Sequence, residues 1–323
     1  MRPRVKKACR ITLTALLCLF LAVLLTAVGL LLYWKVNLPG WFAAPAKGEI
    51  HRDVVYKTVD GRALHMDIYQ PGRRLFTQSP AVFYYHGGSW NSGDKELDDD
   101  DVVKAVLDYG LTIVSVEYRL TDDSTVYPAF LDDCADAIRF VAAHAAEYGV
   151  DKNRFCAFGA SAGGQISLMM ALAGTDYGSD EELAGTDFHI KCGVALCAPT
   201  DFLNLDVYEE EEDRKEAAEL LQALFGGTVE ELPGAYRDAS PINHIHKKAP
   251  PLFMAHGTKD DIVPIAQAAS FVEAAEKAGM AVEYHPVENA NHKFKAAGGL
   301  AVEPSVDEVL KDMTEFLIWK LIL

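Results

Sequence analysis

Short apolar runs fall at 53–58, 65–69, 81–85, 112–116, 154–158, 192–198, 251–255 and 281–287, and each predicts a β-strand. Between the later runs, apolar positions recur at helical spacing. The clearest case is 129–148, where Phe130, Ala137, Ile138, Val141 and Ala145 make one stripe. Further helices are expected at 98–109, 165–173, 210–225, 265–278 and 305–321. Two early strands joined by the turn at Asp60-Gly61, then strands alternating with helices, predict a mostly parallel central sheet with helices on both faces. Reactive loops gather at the carboxyl ends of the strands in such a sheet.

The amino-terminal pattern differs. Arg2, Arg4, Lys6, Lys7 and Arg10 precede an uncharged stretch at 11–34. A helix of that length is about 36 Å long, enough to cross a hydrocarbon core of about 30 Å. The apolar part of a cleaved secretory signal is usually only about 7 to 15 residues, so 11–34 is read as an uncleaved single-pass anchor. The basic flank places the amino terminus in the cytoplasm and the folded domain outside, with Tyr33, Trp34, Trp41 and Phe42 near the outer interface. Secretion after signal cleavage is the alternative. Pro39, Gly40, Pro45 and Gly48 mark 35–49 as a linker, and 50–323 as the folded domain, with a cap-like insertion at about 200–248.

With 50% hydrophobic and 24% charged residues, the chain buries a substantial core and is not disordered. Its net charge of −17 argues against nucleic acid as a partner. Acidic runs at 98–101 and 209–213 read as solvated faces. Cys134, Cys156, Cys192 and Cys197 lie in the domain without CxxC spacing, so they read as buried thiols with no metal site; a disulfide between distant members stays open.

Chemistry concentrates after four of the strands. Phe158-Gly159-Ala160-Ser161-Ala162-Gly163-Gly164 puts a serine on a strand-to-helix turn. Its glycines permit a tight corner that lifts the hydroxyl out of the sheet, as in a nucleophile elbow. His86 to Trp90 follow another strand, Asp260 and Asp261 a third, and His292 the last, so all four loops share one sheet edge. His292 completes the chain order serine, aspartate, histidine.

The segments Tyr85-His86-Gly87-Gly88-Ser89-Trp90, Ser92-Gly93-Asp94-Lys95, Val116-Glu117-Tyr118-Arg119-Leu120, Gly159 to Gly164, Ser240-Pro241-Ile242, His256-Gly257-Thr258-Lys259-Asp260, Val263-Pro264 and Asn291-His292-Lys293-Phe294 together resemble the α/β-hydrolase carboxylesterases of the hormone-sensitive lipase and acetyl-xylan or feruloyl esterase type. The likeness spans about 50–320. It implies an α/β-hydrolase fold and a serine hydrolase of small, short-acyl esters acting through an acyl-serine. In that pattern Ser161 is the nucleophile, His292 the base and Asp260, in preference to Asp261, the orienting acid. The amides of Gly88, Ser89 and Ala162 bind the oxyanion, while His86, Gly87 and Trp90 shape the loop; serine at 89 departs from the usual glycine. His256 is expected to shape its loop, and Arg119 and Asp133 to pair as scaffold. No metal or organic cofactor is implied. Amide hydrolysis, as in aryl formamidases or peptidases, and a silent membrane-tethered binding module are the alternative readings.

Overall fold

The computed structural model describes residues 47–97, 106–122 and 124–323. Strands β1 (Lys47–Val59), β2 (Arg62–Pro71), β3 (Ser79–Tyr85), β4 (Thr112–Val116), β5 (Val150–Ala160), β6 (Ile190–Leu196), β7 (Leu252–Gly257) and β8 (Val282–Val287) form one eight-stranded sheet in the order β1-β2-β4-β3-β5-β6-β7-β8. β2 runs antiparallel to β1 and β4, and all other neighbours are parallel. The first hairpin closes through Asp60 and Gly61 at φ of 51° and 81°. Two successive left-handed residues give a turn whose twist suits the flanking strands.

Helices α1 (Ala129–Ala143), α2 (Ala162–Ala173), α3 (Glu211–Phe225), α4 (Pro233–Ala239), α5 (Ala266–Ala278) and α6 (Val306–Leu321) occupy both faces. The pleat of β3 explains the two cores: Ala81, Phe83 and Tyr85 join the face packed with Ile138, Met169 and Phe271. Val82 points the other way, to the face with Phe253, Met313 and Leu317. A central strand buried on both sides therefore reads as continuous apolar sequence.

Several boundaries move. α1 stops at Ala143 instead of continuing to 148, because His144 leaves helical geometry (φ −103°, ψ 22°) and turns the chain toward Gly149 and β5. β1 starts at Lys47, three residues before the expected domain start at 50, because its first residue already pairs with Pro71 of β2. α4 was not foreseen, although Pro233 at its first turn is a helix-start signal. Of the helix expected at 98–109, only 106–108 fall among the described helical residues. The anchor at 11–34 lies outside the described residues, as does most of the linker; among the described residues no helix is long and apolar enough to cross a membrane. Cys134, Cys156, Cys192 and Cys197 are free and buried.

A buried ionic network fastens β1 to α1. Lys57 Nζ donates to Asp133 Oδ1 at 2.8 Å, Asp136 Oδ2 at 2.7 Å and Ser179 Oγ at 2.9 Å. Arg119 meets Asp133 bidentately at 2.7 and 2.8 Å, as the expected pair. Lys57→Met removes the cation that Asp133 and Asp136 share, leaving Asp133 on Arg119 and Asp136 on the Ser179 and Asp180 N–H groups, and should cost about 1.5 to 3 kcal/mol in urea unfolding, the scale of hydrogen bonds to a charged group. A loss below about 1 kcal/mol would show that water reaches and screens the pair.

Candidate active site

Ser161 adopts φ 56°, ψ −123° between the end of β5 and the start of α2. A non-glycine residue there is strained by about 1 to 3 kcal/mol, and the surrounding packing enforces it. A Cβ added at Gly163 would lie 2.0 Å from Tyr85 O, and one at Gly159 would lie 2.2 Å from Gly163 O. At Gly164 it would meet Ala198 Cβ at 2.9 Å. The three glycines let β3, β5, β6 and α2 converge closely enough to force the corner. Ser161 N–H donates to Leu196 O at 2.8 Å, fastening the corner to β6.

The loop after β3 takes three consecutive left-handed residues, Gly88 (φ 115°), Ser89 (φ 52°) and Trp90 (φ 60°). Gly88 O accepts from Asn91 N, Ser92 N and Ser92 Oγ at 3.1, 3.0 and 2.8 Å. Trp90 O accepts from Thr121 N at 2.9 Å, and Trp90 Nε1 donates to Gln165 Oε1 of α2 at 3.1 Å. His86 stacks on Tyr118 with ring centroids 4.2 Å apart. Its Nδ1 lies 2.8 Å from Gly87 O, an atom that only accepts, so Nδ1 carries the proton; the Tyr118 hydroxyl donates to His86 O at 2.8 Å. Burial lowers the His86 pKa, against the raising effect of Gly87 O, Asp94 and Glu117, and keeps the ring neutral and structural. The N–H groups of Ser89 and Ala162 donate to no protein acceptor among the described residues. Gly87 comes within 3.5 Å of Ser161 Cβ where its own Cβ would stand.

Asp260 is fully buried at its side chain and its Oδ1 accepts the N–H groups of Ile262 and Val263 at 2.9 and 2.8 Å. His292 Nδ1 lies 2.9 and 2.8 Å from its two oxygens. His256 Nε2, 3.1 Å from Oδ2, is a direct partner of the carboxylate as well as of Val263 O at 2.8 Å. Burial by itself would raise the Asp260 pKa; the imidazole donors of His256 and His292 and the Val263 amide outweigh it and hold the group well below the usual carboxylate range. Asp261 turns outward and is exposed at the mouth of the adjacent cavity, which separates the two aspartates.

The cavity holds about 380 Å³ and is lined by Ser161, Ser89, Ala162, Trp90 and Phe202. One stripe of α3 also lines it, at Asp213, Glu216, Ala217, Leu220 and Leu221. This spacing is one helix face. Leu221, Leu224 and Phe225 are also buried, so the insertion packs onto the domain and walls the cavity at once. No hydrogen bond joins Ser161 Oγ to His292 among the described residues. The two are brought toward each other through consecutive residues: Leu196 O accepts from Ser161 N, and Cys197 Sγ donates to His292 O at 3.4 Å. Cys197, Asp260 and His292 carry the one set of metal-type ligand atoms grouped among the described residues. Burial, then the Asp260 charge, push the Cys197 thiol far up.

The BD-FAE family pattern matches residues 66–275. The esterase LipQ of Mycobacterium tuberculosis is 29% identical over 259 residues, covering 76% of this chain and 59% of LipQ. The chain spans 59% to 62% of the length of the curated relatives that match over most of it. Among solved structures, a truncated carbohydrate esterase from gut microbiota superposes with a TM-score of 0.72 at 21% identity, over 87% of this chain and 100% of that one. That likeness is one of fold. Esterase 2 of the Planctomycetes species Thermogutta terrifontis, with butyrate bound, gives 0.65 at 26% identity over 84% of this chain and 93% of its own.

Gly163→Ala should cost at least about 3 kcal/mol in chemical unfolding, because the clash is with backbone and cannot be relieved by a rotamer change; a variant of ordinary stability would mean that α2 can shift away from β3. The depressed Asp260 pKa contributes stability fully present above the unfolded value of about 3.9 and lost as pH falls through the folded value. Wild type should therefore exceed Asp260→Asn by a constant margin at neutral pH, and that margin should shrink below about pH 4. An unchanged margin at pH 3 would contradict the ionised assignment.

Proposed function

Because the chain belongs to the BD-FAE family, an α/β-hydrolase-like group, we propose that it is a serine carboxylesterase that cleaves small, short-acyl esters through an acyl-serine. The observations that support this reading are a strained serine that lines a cavity and a histidine whose Nδ1 is held by a buried, ionised aspartate. Relatives named as esterases and carboxylic ester hydrolases support it.

In this mechanism His292 Nε2 takes the proton from Ser161 Oγ as the oxygen attacks the ester carbonyl. Asp260 keeps the Nδ1–H tautomer in place and stabilises the imidazolium. The carbonyl oxygen becomes negative and settles among the N–H groups of Gly88, Ser89 and Ala162, each donor worth about 2.7 to 4 kcal/mol. The tetrahedral centre collapses, the alkoxide leaves with the His292 proton, and the acyl group stays on Ser161 Oγ. Water, deprotonated by the same imidazole, then releases the carboxylic acid. The mechanism requires Ser161 Oγ and His292 Nε2 to come within hydrogen-bond reach in the substrate complex.

Ala217, Leu220 and Leu221 suit a short aliphatic acyl chain in a cavity of about 380 Å³, and butyrate is bound in the Thermogutta terrifontis esterase. The 11–34 segment would tether this domain to a membrane, facing outward.

Ser161→Ala should lower turnover of p-nitrophenyl butyrate at least about 10⁴-fold while leaving thermal unfolding unchanged. Retained turnover would remove the nucleophile assignment. Ser89→Gly and Ser89→Ala should both stay within about threefold of wild type, because the donor is the backbone N–H. A loss of about a hundredfold or more in either would assign the work to the Ser89 hydroxyl.

A further inference from the structure

Cys197 is the first residue after β6 and stands at φ 48°, a conformation that side chains with a Cβ rarely adopt. Its N–H donates to Ala255 O at 2.9 Å, and the preceding carbonyl, Leu196 O, accepts the Ser161 N–H at 2.8 Å. The side chain is 2% exposed. Its thiol donates to His292 O at 3.4 Å. Sγ, an Asp260 carboxylate oxygen and a His292 ring nitrogen all lie within 4.8 Å of one another. The thiol thus backs the acid–base pair from the side of the sheet.

We infer that Cys197 is a positioning residue that acts through His292, holding its main chain so that the ring keeps Nδ1 on Asp260 and Nε2 toward Ser161. The inference rests on the reading of Ser161, Asp260 and His292 as the reactive set. The loop carrying His292 is tied on its far side by Asn291 Oδ1, which accepts the N–H groups of Lys293 and Lys295 at 3.1 and 3.0 Å. On its near side Cys197 supplies the corresponding tether, to the carbonyl of His292 itself. The Leu196–Cys197 pair therefore holds nucleophile and base from consecutive residues of one strand end. A thiol meets the local demands well. It is bulky enough to fill the space behind the pair and can donate one hydrogen bond. Burial and the Asp260 charge keep it uncharged, so it adds no second negative charge beside the carboxylate. Alanine would leave the His292 carbonyl without its donor and a void beneath the ring.

The test compares Cys197→Ala and Cys197→Ser in the full chain with p-nitrophenyl butyrate. Cys197→Ala should lower kcat about tenfold to a hundredfold, the cost of a base displaced by a fraction of an ångström to about an ångström, with KM kept within about twofold. Cys197→Ser restores a donor and should recover most of kcat. A separate readout does not depend on catalysis: in the Ser161→Ala background, proton NMR of the His292 imidazole N–H bonded to Asp260 should show a sharp downfield signal that Cys197→Ala broadens or abolishes and Cys197→Ser retains. If the wild type lacks esterase activity, the proposed function fails while the NMR arm still decides the role of Cys197. Unchanged kcat and an unchanged N–H signal in Cys197→Ala would overturn the inference, as would a serine variant no better than alanine. Should the alanine variant fail to fold, Cys197→Ser alone decides: loss of both kcat and the signal in a folded serine variant would overturn it.

Discussion

The contact between α2 and the end of β3 sets the geometry of everything above the sheet. Tyr85 and Gly159 are register partners on β3 and β5, and Gly163 crosses over them with room for a hydrogen but none for a methyl group. The added atom would lie 2.0 Å from a main-chain oxygen. Overlap of that depth outweighs any single hydrogen bond, whose net worth is about 1 kcal/mol. The chain must therefore turn at Ser161 in a conformation it would otherwise avoid. The same crossing fixes the loop that starts one residue later at His86, since the oxygen of His86 is the second atom a Gly163 side chain would meet, at 2.7 Å. The N–H groups of Ser89 and Ala162 thus belong to one rigid unit, closed on its far side by Trp90 on Gln165. Gln165 in turn donates to Ala239 O at the end of α4, so the unit reaches into the insertion.

Asp260 shows the opposite kind of control, in which electrostatics decides after sterics has placed the group. A carboxylate with no exposed side-chain surface would neutralise itself if left alone. Two imidazoles and two backbone N–H groups reverse that outcome. The charge can then hold the His292 Nδ1, and in the proposed mechanism it would support the ring when it becomes cationic. The Lys57, Asp133, Asp136 and Arg119 network is equally buried, but its charges satisfy one another beneath the sheet, and none of the four lines the cavity. Burial of charge alone would not have separated the two networks; the cavity does.

Apolar periodicity located all eight strands, and the loops after four of them carried Ser161, Asp260, His292 and the His86 to Trp90 segment in readable form. Contacts made by chain return were invisible. His256 reaches Asp260 because the loop doubles back between them, which no spacing rule requires. Cys197 meets His292 across 95 positions. The left-handed backbone at Ser89, Trp90 and Cys197 carries no composition signal, because glycine is the residue that announces such φ values and none of these is glycine. Lys57 carries no signal of its pairing in the sequence, and only the position of α1 makes it a buried counter-ion.

The acidic run at 209–213 gives a mixed outcome with a chemical consequence. Its glutamates face solvent, but Asp213 turns toward the cavity with Glu216, and Asp201 and Asp261 complete a carboxylate rim without any lysine or arginine among the described lining residues. Deeper in, Ala217, Leu220 and Leu221 continue the same helix face as apolar surface. A reaction in this cavity that builds negative charge on a carbonyl oxygen has no lysine or arginine among the described lining residues to draw on. In the proposed mechanism stabilisation at that oxygen falls to backbone N–H dipoles, which are short-ranged and directional and so act only where the oxygen sits. The rim carboxylates of Asp213, Glu216 and Asp261 are exposed and that of Asp201 is half-buried, so water and salt screen most of the rim and it opposes that charge weakly. The proposed dipolar hole would therefore depend on how firmly the Gly88 to Trp90 loop is held, and the crossing at Gly163 is the contact that fixes where that loop starts.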